Sequence, residues 1–415
     1  MLTDKLCQVA AEAYGTPVYL FDLDRLQQQV ELIRQQLPQA RLCFAVKANP
    51  FLLPVLSRWL DRFELCSPGE WSITQQLKLP QDKLVISGVY KSEADLTAIF
   101  DQPGDCLPEI SLESGEQLAL LNQLARRRQR KVSVLLRLSS GNQFGLDEAD
   151  LRDILARRQA CPYLRITGLQ FYSGTQKHSR KIIAEVARLE QLCRSLEHDY
   201  DLPPLALEYG PGLAVRYFSD SSRSADTAEP AAPDDLDKSD LVQLQVLREA
   251  LTQAGCRRQL TLEMGRFLAA ACGSYLTQIV DLKTTRADHY CIVDGGIHHL
   301  AYYGQMLGMK LPPVRLIKAV PGAADARPPA PADWTVCGAL CTVNDVLLRC
   351  LRLTRPARGD WLCFDRCGAY SVTEGLSLFL SRNLPAVASY STANGWQCLR
   401  PATAIWPLNQ PQAPV

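Results

Sequence analysis

The sequence predicts an α/β fold class: a (β/α)8 barrel of the TIM type with a second, mainly β domain. Three observations favour this prediction. Between about residues 24 and 266, short β-rich runs alternate with longer helical patterns, which is typical of repeated βα units and a parallel sheet. Eight such runs are present, the number that closes this kind of barrel. After Arg266 the pattern changes to strands separated by turns.

Each element follows from local spacing. Helices are expected over Asp24–Gln36 and Lys181–Glu197, where apolar residues recur at helical intervals. The expected barrel strands are Leu42–Val46, Phe63–Cys66, Lys83–Ser87, Glu109–Leu112, Val132–Leu138, Ile166–Tyr172, Leu205–Tyr209 and Leu260–Glu263. The strands expected in the second domain are Tyr275–Lys283, Tyr290–Val293, Val336–Leu340, Asp345–Leu353 and Trp361–Phe364.

These patterns also predict the domain boundaries. We expect the barrel at residues 24–268, the mainly β domain at residues 1–23 plus 269–406, and a flexible tail at residues 407–415. Residues 219–240 contain seven acidic and two basic side chains among Ser, Ala and Pro. Such a segment is too polar to pack, so we expect a mobile, solvated insertion within the barrel.

The composition argues against several classes of function. The 45 Lys and Arg balance 44 Asp and Glu, so no whole-molecule field attracts nucleic acid or anionic lipid. The N-terminal segment lacks the apolar core of a signal peptide, and no apolar run is long enough to span a membrane. We therefore expect a cytoplasmic protein that binds neither nucleic acid nor membrane. Its fifteen cysteines are expected to be reduced and mostly buried.

One lysine lies where a barrel enzyme would do its chemistry. Lys47 comes directly after the first expected barrel strand, and active sites of such barrels lie at the carboxyl ends of the strands. Its apolar neighbours would desolvate the amine, which lowers an amine's pKa and makes it a nucleophile that forms Schiff bases. The alternative is a surface lysine in an ordinary strand-to-helix turn.

Seven further segments place polar residues or glycines near the expected ends of strands. They are Cys66–Glu70, Arg137 with Asn142–Gly145, Gly168–Gln176, Glu208–Gly212, Leu262–Arg266, Cys337–Asp345 and Gly368–Tyr370. In their order along nearly the whole chain, Lys47 and these segments resemble the motifs of the fold-type III pyridoxal phosphate (PLP) enzymes. That family includes alanine racemase and the decarboxylases of ornithine, arginine and diaminopimelate.

The resemblance implies a role for each matching residue. Lys47 falls on the lysine that binds PLP, and Glu263 on the carboxylate that faces the pyridine nitrogen. Tyr172 replaces a histidine that stacks on the cofactor ring, and an aromatic face can still stack there. Thr175 replaces a serine at the phosphate and keeps its hydroxyl donor. The other implied cofactor contacts are Glu64, Arg137, Gly210, Gly212, Gly265, Arg266 and Tyr370.

Glu263 also bears on the reaction. A carboxylate beside the pyridine nitrogen favours its protonated form, which makes the ring a strong electron sink. Alanine racemases have an arginine at this position, so Glu263 favours decarboxylation through an external aldimine and a quinonoid. In decarboxylases of the family, a cysteine from the partner chain reaches the active site. Cys341 takes this second catalytic position, which implies a homodimer with shared active sites.

The residues around Cys341 suggest the class of substrate. In diamine-forming relatives an acidic residue after the cysteine binds the substrate's distal amine, whereas this chain has Thr342. We therefore expect a neutral or acidic distal group, because a cationic one would remain unpaired. Thr342 also resembles the natural-product and siderophore-type subgroup, whose substrates are free or tethered to a carrier protein. Further candidate substrate contacts are Asp345, His298 and Tyr302.

Several alternatives remain open. The same fold could serve an amino-acid racemase or epimerase, a non-catalytic PLP-binding protein, or a barrel without PLP. Gln170–Tyr172 could be a plain strand, His298 an ordinary loop residue and Tyr302 a core residue. The cysteines Cys337, Cys341, Cys363 and Cys367 could bind zinc, but their spacing departs from the usual pattern and no nearby histidine pair completes a site. No metal is expected.

Overall fold

Strands and helices alternate through the first two thirds of the chain. The structure is a computed structural model that describes residues 2–218, 233–319 and 331–411, the side chains of 233–237 excepted. The strands are β1 (Val18–Asp22), β2 (Arg41–Ala45), β3 (Arg62–Leu65), β4 (Leu84–Ile86), β5 (Glu109–Leu112), β6 (Val132–Arg137), β7 (Leu164–Tyr172), β8 (Ala206–Gly210), β9 (Leu260–Met264), β10 (Gly273–Thr285), β11 (Asp288–Val293), β12 (Val314–Ile317), β13 (Ala332–Cys337), β14 (Val346–Leu353), β15 (Trp361–Asp365), β16 (Ala386–Ser391) and β17 (Gly395–Arg400).

The helices of the described residues follow the same order. They are α1 (Asp4–Tyr14), α2 (Leu23–Gln36), α3 (Leu53–Trp59), α4 (Pro68–Gln76), α5 (Glu93–Phe100), α6 (Gly115–Arg128), α7 (Glu148–Ala156), α8 (Ser179–Tyr200), α9 (Pro233–Gln253) and α10 (Arg266–Ala269). Three of those that follow barrel strands start at a serine whose hydroxyl accepts a backbone N–H of the first turn, namely Ser67, Ser92 and Ser114. Such caps satisfy helix donors that would otherwise lack a partner.

Strands β2 to β9 close into an eight-stranded parallel barrel, because β9 pairs with β2. Their side chains are mostly buried, as expected for strands covered on both faces. Each of the eight predicted barrel strands overlaps an observed one, so the predicted (β/α)8 fold class is confirmed. Between β6 and β7 the register shifts at Val134 and Leu135, which pair with Ile166 and Gly168 and leave Thr167 as the extra residue of a bulge.

The mainly β domain is one nine-stranded sheet. Its main path runs β14-β13-β11-β10-β1-β16-β17, and β15 joins both β10 and β12. Helix α1 packs against it, and Cys7 and Ala10 form an apolar core with Val18, Leu276 and Cys363. The predicted mainly β domain is therefore confirmed, although β1, β12, β16 and β17 lie outside the strands that the sequence predicted.

The chain divides into two compact units that differ from the predicted boundaries. One contains Met1–Gln29, Val215–Lys238 and Leu268–Val415, and the other contains Val30–Ala214 and Ser239–Phe267. Most of the predicted acidic insertion, residues 219–232, lies outside the described residues. Residues 233–240 were expected in that mobile segment but belong to helix α9. Pro233 begins the helix, and proline suits a first helical position because no N–H is needed there.

The neighbouring strand leaves no space for a side chain at Gly168. A Cβ atom on Gly168 would lie 2.1 Å from the carbonyl oxygen of Ala206 in the neighbouring strand. We expect Gly168→Ala to lower the free energy of unfolding by about 3 kcal/mol, since backbone on both sides must move. Urea denaturation measures the change. The control is Gly115→Ala, where nothing lies within 4 Å of the added atom. Equal stabilities of the two variants would contradict the argument.

Candidate active site

Polar side chains gather at the carboxyl end of the barrel strands. Lys47 follows β2 in a short turn of 3₁₀ helix, and Glu64 lies in β3. Other strands contribute the further predicted residues at their carboxyl ends or just beyond them, namely Arg137, Tyr172, Gly210, Glu263 and Gly265. The parallel barrel thus brings residues that are far apart in the chain to one end of the fold, where barrel enzymes have their active sites.

Lys47 is held by two neighbours from the next strand and its loop. Its Nζ donates to Glu64 Oε2 at 2.6 Å and to Cys66 Sγ at 3.3 Å, and the Cys66 thiol donates to Glu64 Oε1 at 3.2 Å. Burial alone would raise the pKa of Glu64, but the Lys47 charge and hydrogen bonds from Lys47, Cys66 and Ser87 lower it. The Lys47 side chain is 40% exposed, so a fixed amine remains accessible.

Arg137 has a buried acidic partner. Its Nη1 donates to Glu113 Oε1 at 2.9 Å, and its guanidinium lies 4.8 Å from the centre of the Phe144 ring. The other Glu113 oxygen accepts the Gly145 N–H at 3.2 Å. Glu113 therefore connects Arg137 with the Asn142–Gly145 segment, because it accepts a hydrogen bond from each.

Sequence reasoning missed the role of two buried residues in the barrel interior. Gln170 receives the Ser111 hydroxyl at 2.5 Å, and its Nε2 donates to Glu208 Oε1 at 3.2 Å and Glu263 Oε2 at 3.3 Å. Gln170 and Glu208 are each 2% exposed. Gln170 lies in the Gly168–Gln176 segment and Glu208 in the Glu208–Gly212 segment. The signal that could have identified them is a polar side chain inside a strand predicted to be buried.

The two carboxyl groups that Gln170 joins have shifted acidities. Burial raises the pKa of Glu263 to about 8, and the nearby Glu64 charge adds to the rise while Lys47 opposes it. Burial also raises the pKa of Glu208 to about 7, against the opposing effect of Arg62. Glu208 and Arg62 line a cavity of about 490 Å³ within the barrel unit, which gives solvent protons access to Glu208. Burial thus favours the protonated form of both carboxyl groups.

Glu208 therefore predicts a pH-dependent stability. Its pKa in the folded protein, about 7, is above the value near 4.5 expected in the unfolded chain, so the folded state binds the extra proton between these values. This contribution to stability is fully present below pH ~4.5 and is lost as pH rises through ~7. We expect Glu208→Gln to match wild type at pH ~4.5 and to exceed it at pH ~8 by on the order of 3 kcal/mol.

Urea denaturation across this pH range, without added cofactor, measures the difference. Arg62 keeps its ion pair with Glu109 at 2.6 Å in the variant, so no buried cation is left alone. Glu12→Gln, the same substitution at an exposed position of α1, is the control. A pH-independent difference for Glu208→Gln would contradict the prediction.

Two loops at this end of the barrel form a cradle that fits a phosphate. The backbone N–H groups of Gly174, Thr175 and Gly212 have no acceptor within the described ranges of the chain. A Cβ on Gly212 would lie 2.2 Å from the Gly174 carbonyl oxygen, and one on Gly210 would lie 2.6 Å from the Tyr172 ring. Glycine is thus required for the close approach of both loops, and N–H groups in such a nest bind anions.

Tyr172 lies beside this cradle with its ring partly exposed. It is 36% exposed, and burial raises the pKa of its hydroxyl, helped by the Glu263 charge and opposed by Lys47, Arg266 and a hydrogen bond with Thr175. Arg266 begins α10 directly after Gly265. An amine, a partly exposed ring, an anion cradle and a half-buried carboxyl on one barrel end are groups that suit PLP. The residues present therefore fit this cofactor.

The predicted residues of the mainly β domain are described within that unit. Cys341 is exposed, Thr342 is half-buried, and Tyr370 lies in a turn with φ of 69°. Asp345 is buried, and its two oxygens accept the backbone N–H groups of Ile297 at 2.8 Å and Leu340 at 2.7 Å. Both hydrogen bonds are internal, so Asp345 shapes the loop that carries Cys341.

His298 and Tyr302 are buried rather than solvent-facing in their unit. His298 is 2% exposed and stacks on His299 with ring centres 3.6 Å apart, and burial lowers its pKa to about 4. Tyr302 is 6% exposed and donates its hydroxyl to the Asp365 carbonyl at 2.6 Å. Of the two alternatives for Tyr302, a substrate contact and a core residue, its buried position matches the core residue.

Disulfides, metal clusters and membrane-spanning helices are three further features that the described residues could have contained. None of the fifteen cysteines is in a disulfide, and seven are buried, so the prediction that most of them are buried is wrong. Within residues 2–218, 233–319 and 331–411, no three His, Cys, Asp or Glu side chains are grouped to hold a metal ion. In the same ranges, no helix combines the length and the apolar character that crossing a bilayer would require.

The fold and this site are those of a parallel (β/α)8 barrel with polar residues at the carboxyl ends of its strands. Residues 21–215 match the family model described as "Alanine racemase, N-terminal domain". Over longer ranges it is similar to curated decarboxylases at low identity.

Three relatives show the extent of this similarity. The chain is 24% identical to L-glutamyl-[BtrI acyl-carrier protein] decarboxylase of Niallia circulans, over 90% of this chain and 88% of the relative. It is 26% identical to diaminopimelate decarboxylase of Aquifex aeolicus, over 93% and 88%. It is 23% identical to 2-[(L-alanin-3-ylcarbamoyl)methyl]-2-hydroxybutanedioate decarboxylase of Staphylococcus aureus, over 91% and 95%.

A solved structure extends the likeness of fold to both domains. The crystal structure of diaminopimelate decarboxylase from Helicobacter pylori complexed with L-lysine superposes with a TM-score of 0.79 at 19% identity. The match covers 97% of this chain and 99% of that one. The barrel and the β domain thus occur together in a known enzyme fold.

Proposed function

We propose that this protein is a PLP-dependent decarboxylase of an amino acid or amino-acid derivative. The observation that carries the proposal is that an accessible, fixed Lys47 amine and a half-buried Glu263 carboxyl lie at the same end of the barrel, where the Lys47 charge acts on the pKa of Glu263. The full-length similarity to enzymes named as decarboxylases supports the same reaction. A racemase of this fold would need a second base opposite Lys47, whereas Glu263 supports removal of a carboxylate.

Bound PLP supplies an aldehyde carbon for amines and a ring that takes up the electrons released as CO2 leaves. Lys47 would bind the cofactor through Nζ, and Glu64 holds that Nζ in place. Glu263, once ionised, would favour a proton at the pyridine nitrogen, and Gln170 donates to one of its oxygens. Tyr172 would stack on the ring, and the residues that would hold the phosphate are Thr175, Gly210, Gly212, Gly265 and Arg266. Lys47 or Cys341 then returns a proton to the substrate's Cα.

The substrate has a neutral or acidic distal group in this proposal. Asp345 is the acid nearest to Cys341 in sequence, and both its oxygens are occupied by backbone N–H groups. Thr342 offers a hydroxyl where a diamine-forming enzyme would use a charge. Two of the relatives are named for glutamyl and hydroxybutanedioate substrates, one of them linked to an acyl-carrier protein. Their names support an acidic or carrier-linked substrate here.

We further propose a homodimer in which Cys341 serves the partner's site. Apolar side chains are strongly exposed near Cys341 in sequence and on loops of the same domain, with Val343 93%, Met309 70% and Leu376 62% exposed. The segment that contains His298 and Met309 is anchored at two points, because Arg349 of β14 donates to the Leu307 carbonyl at 3.0 Å and a Cβ on Gly375 would touch the His298 backbone. An exposed apolar surface of this kind favours association with another protein surface.

The test of the function is a substrate panel with PLP. Free, N-substituted and carrier-linked amino acids are incubated with the holoenzyme while the visible absorbance of bound PLP and the release of CO2 are recorded together. We expect absorbance from the Lys47 adduct and CO2 from neutral or acidic substrates, with little from lysine or ornithine. Adduct absorbance with exchange at Cα but no CO2 would overturn decarboxylation in favour of a racemase or epimerase. Absorbance with neither would indicate a PLP-binding protein, and no absorbance would overturn the cofactor.

A further inference from the structure

A buried cluster beneath the glycine loop has no part in the reaction described above. Lys177 is 5% exposed and lies at the turn that follows β7, directly after the segment that contains Thr175. Its Nζ donates to Glu185 Oε2 at 2.7 Å and to the Gly210 carbonyl at 3.1 Å. Its backbone N–H donates to the Gly212 carbonyl at 2.9 Å. One residue thus binds the carbonyl groups at both ends of the Gly210–Gly212 loop.

The surroundings of Lys177 fix its ammonium group. The Nζ lies 5.6 Å from the centre of the Tyr172 ring and 5.2 Å from that of Tyr209. Glu185, its acidic partner, also accepts the hydroxyl of Tyr209 at 2.8 Å and that of Ser173. Aromatic faces attract a cation, and a buried ion pair with further hydrogen bonds keeps a single geometry.

This contact controls what the loop presents to an anion. Carbonyl oxygens carry negative partial charge, and those of Gly210 and Gly212 are committed to Lys177, so they cannot face a bound phosphate. The N–H of Gly212 keeps no acceptor within the described chain, whereas Pro211 has no N–H to offer. Because the loop has lost that donor, its remaining dipoles and the buried cation matter more for binding a dianion.

We propose that Lys177 is a positioning residue that shapes the Gly210–Gly212 loop for the cofactor's phosphate. The inference rests on the proposed function, since the ligand is the phosphate of PLP. Lys177 itself does not contact the phosphate. It holds the two carbonyl groups away from the anion and places a positive charge behind the loop. Glu185 keeps that charge in place by pairing with the ammonium.

The test compares two ligands that differ only in the phosphate. PLP and pyridoxal both carry the aldehyde that reacts with Lys47, so visible absorbance of the adduct gives an apparent Kd for each. For Lys177→Met we expect the Kd of PLP to rise about tenfold or more, as for loss of a charge-assisted hydrogen bond, while the Kd of pyridoxal changes less than about threefold. The matched control is Lys181→Met, because Lys181 lies 3.9 Å from the same Glu185 but is 52% exposed.

A second variant guards against misfolding. Lys177→Met leaves Glu185 with only the exposed ammonium of Lys181 at 3.9 Å. Lys177→Met with Glu185→Gln therefore removes both charges of the buried pair and keeps its shape. We expect this double variant to fold and still to lose the preference for PLP over pyridoxal. If it binds PLP as tightly as wild type, the inference is overturned. If wild type itself shows no adduct with either ligand, the proposed function fails instead, so the two failures are distinguishable.

Discussion

Replacement of Lys47 should abolish turnover. We expect Lys47→Arg to lower kcat by at least about 10⁴-fold and to remove the visible absorbance of bound PLP, because a guanidinium stays protonated and does not form the adduct. Arginine is chosen over alanine for a physical reason. Glu64 is 3% exposed and depends on the Lys47 cation, so an uncharged replacement would leave a buried carboxylate unpaired.

Two measurements accompany this prediction. Steady-state CO2 release gives the loss of kcat, and the thermal midpoint shows whether the variant folds. The control is Lys181→Arg, at an exposed lysine of α8 outside the proposed catalytic site. Retained absorbance and turnover in Lys47→Arg would show that Lys47 is not the cofactor lysine and would contradict the proposed function.

Glu263→Gln should have the second-largest effect on catalysis. Glutamine has nearly the same shape but cannot carry the negative charge that holds a proton at the pyridine nitrogen. We expect kcat to fall by about 10²- to 10⁴-fold with the absorbance of bound PLP retained, because Lys47 is unchanged. The pattern separates this variant from Lys47→Arg, in which cofactor and turnover are lost together.

The same substitution should change stability in the opposite direction. Burial raises the pKa of Glu263 to about 8, above its value in the unfolded chain, so ionising it in the folded protein costs free energy. Its contribution to stability is present below pH ~4.5 and is lost as pH rises through ~8. Without PLP, Glu263→Gln should thus be more stable than wild type at pH ~9 and equal to it at pH ~4.5. A variant with wild-type kcat, or with lower stability at high pH, would contradict the role of a half-buried carboxyl.

The sequence alone was sufficient for the architecture and for the residues that lie on conspicuous motifs. Alternation of apolar runs and helical spacing predicted all eight barrel strands, because strand and helix periodicity are local properties. The placement of Lys47 after the first barrel strand, and of Glu263 within the last, followed from strand order. Helix α9 was missed at its start, since an acidic, Pro-containing stretch resembles a loop when read locally.

Only the tertiary structure decided how the buried polar groups are paired. Gln170 meets Ser111, Glu208 and Glu263 across separations of 59, 38 and 93 residues, and no local pattern encodes such contacts. The same holds for Lys177, whose sequence neighbours gave no sign of its position beneath the glycine loop.

For Asp345 the sequence suggested a role that its hydrogen-bond partners do not support. By position it was a candidate substrate contact, but both its oxygens accept backbone N–H groups of its own domain. Periodicity is a property of neighbouring residues, so the sequence by itself determined the fold and the end of the barrel that holds the candidate site. Hydrogen-bond partners and shifted acidities depend on which distant groups share a desolvated space, and that is settled only when the chain closes into the barrel.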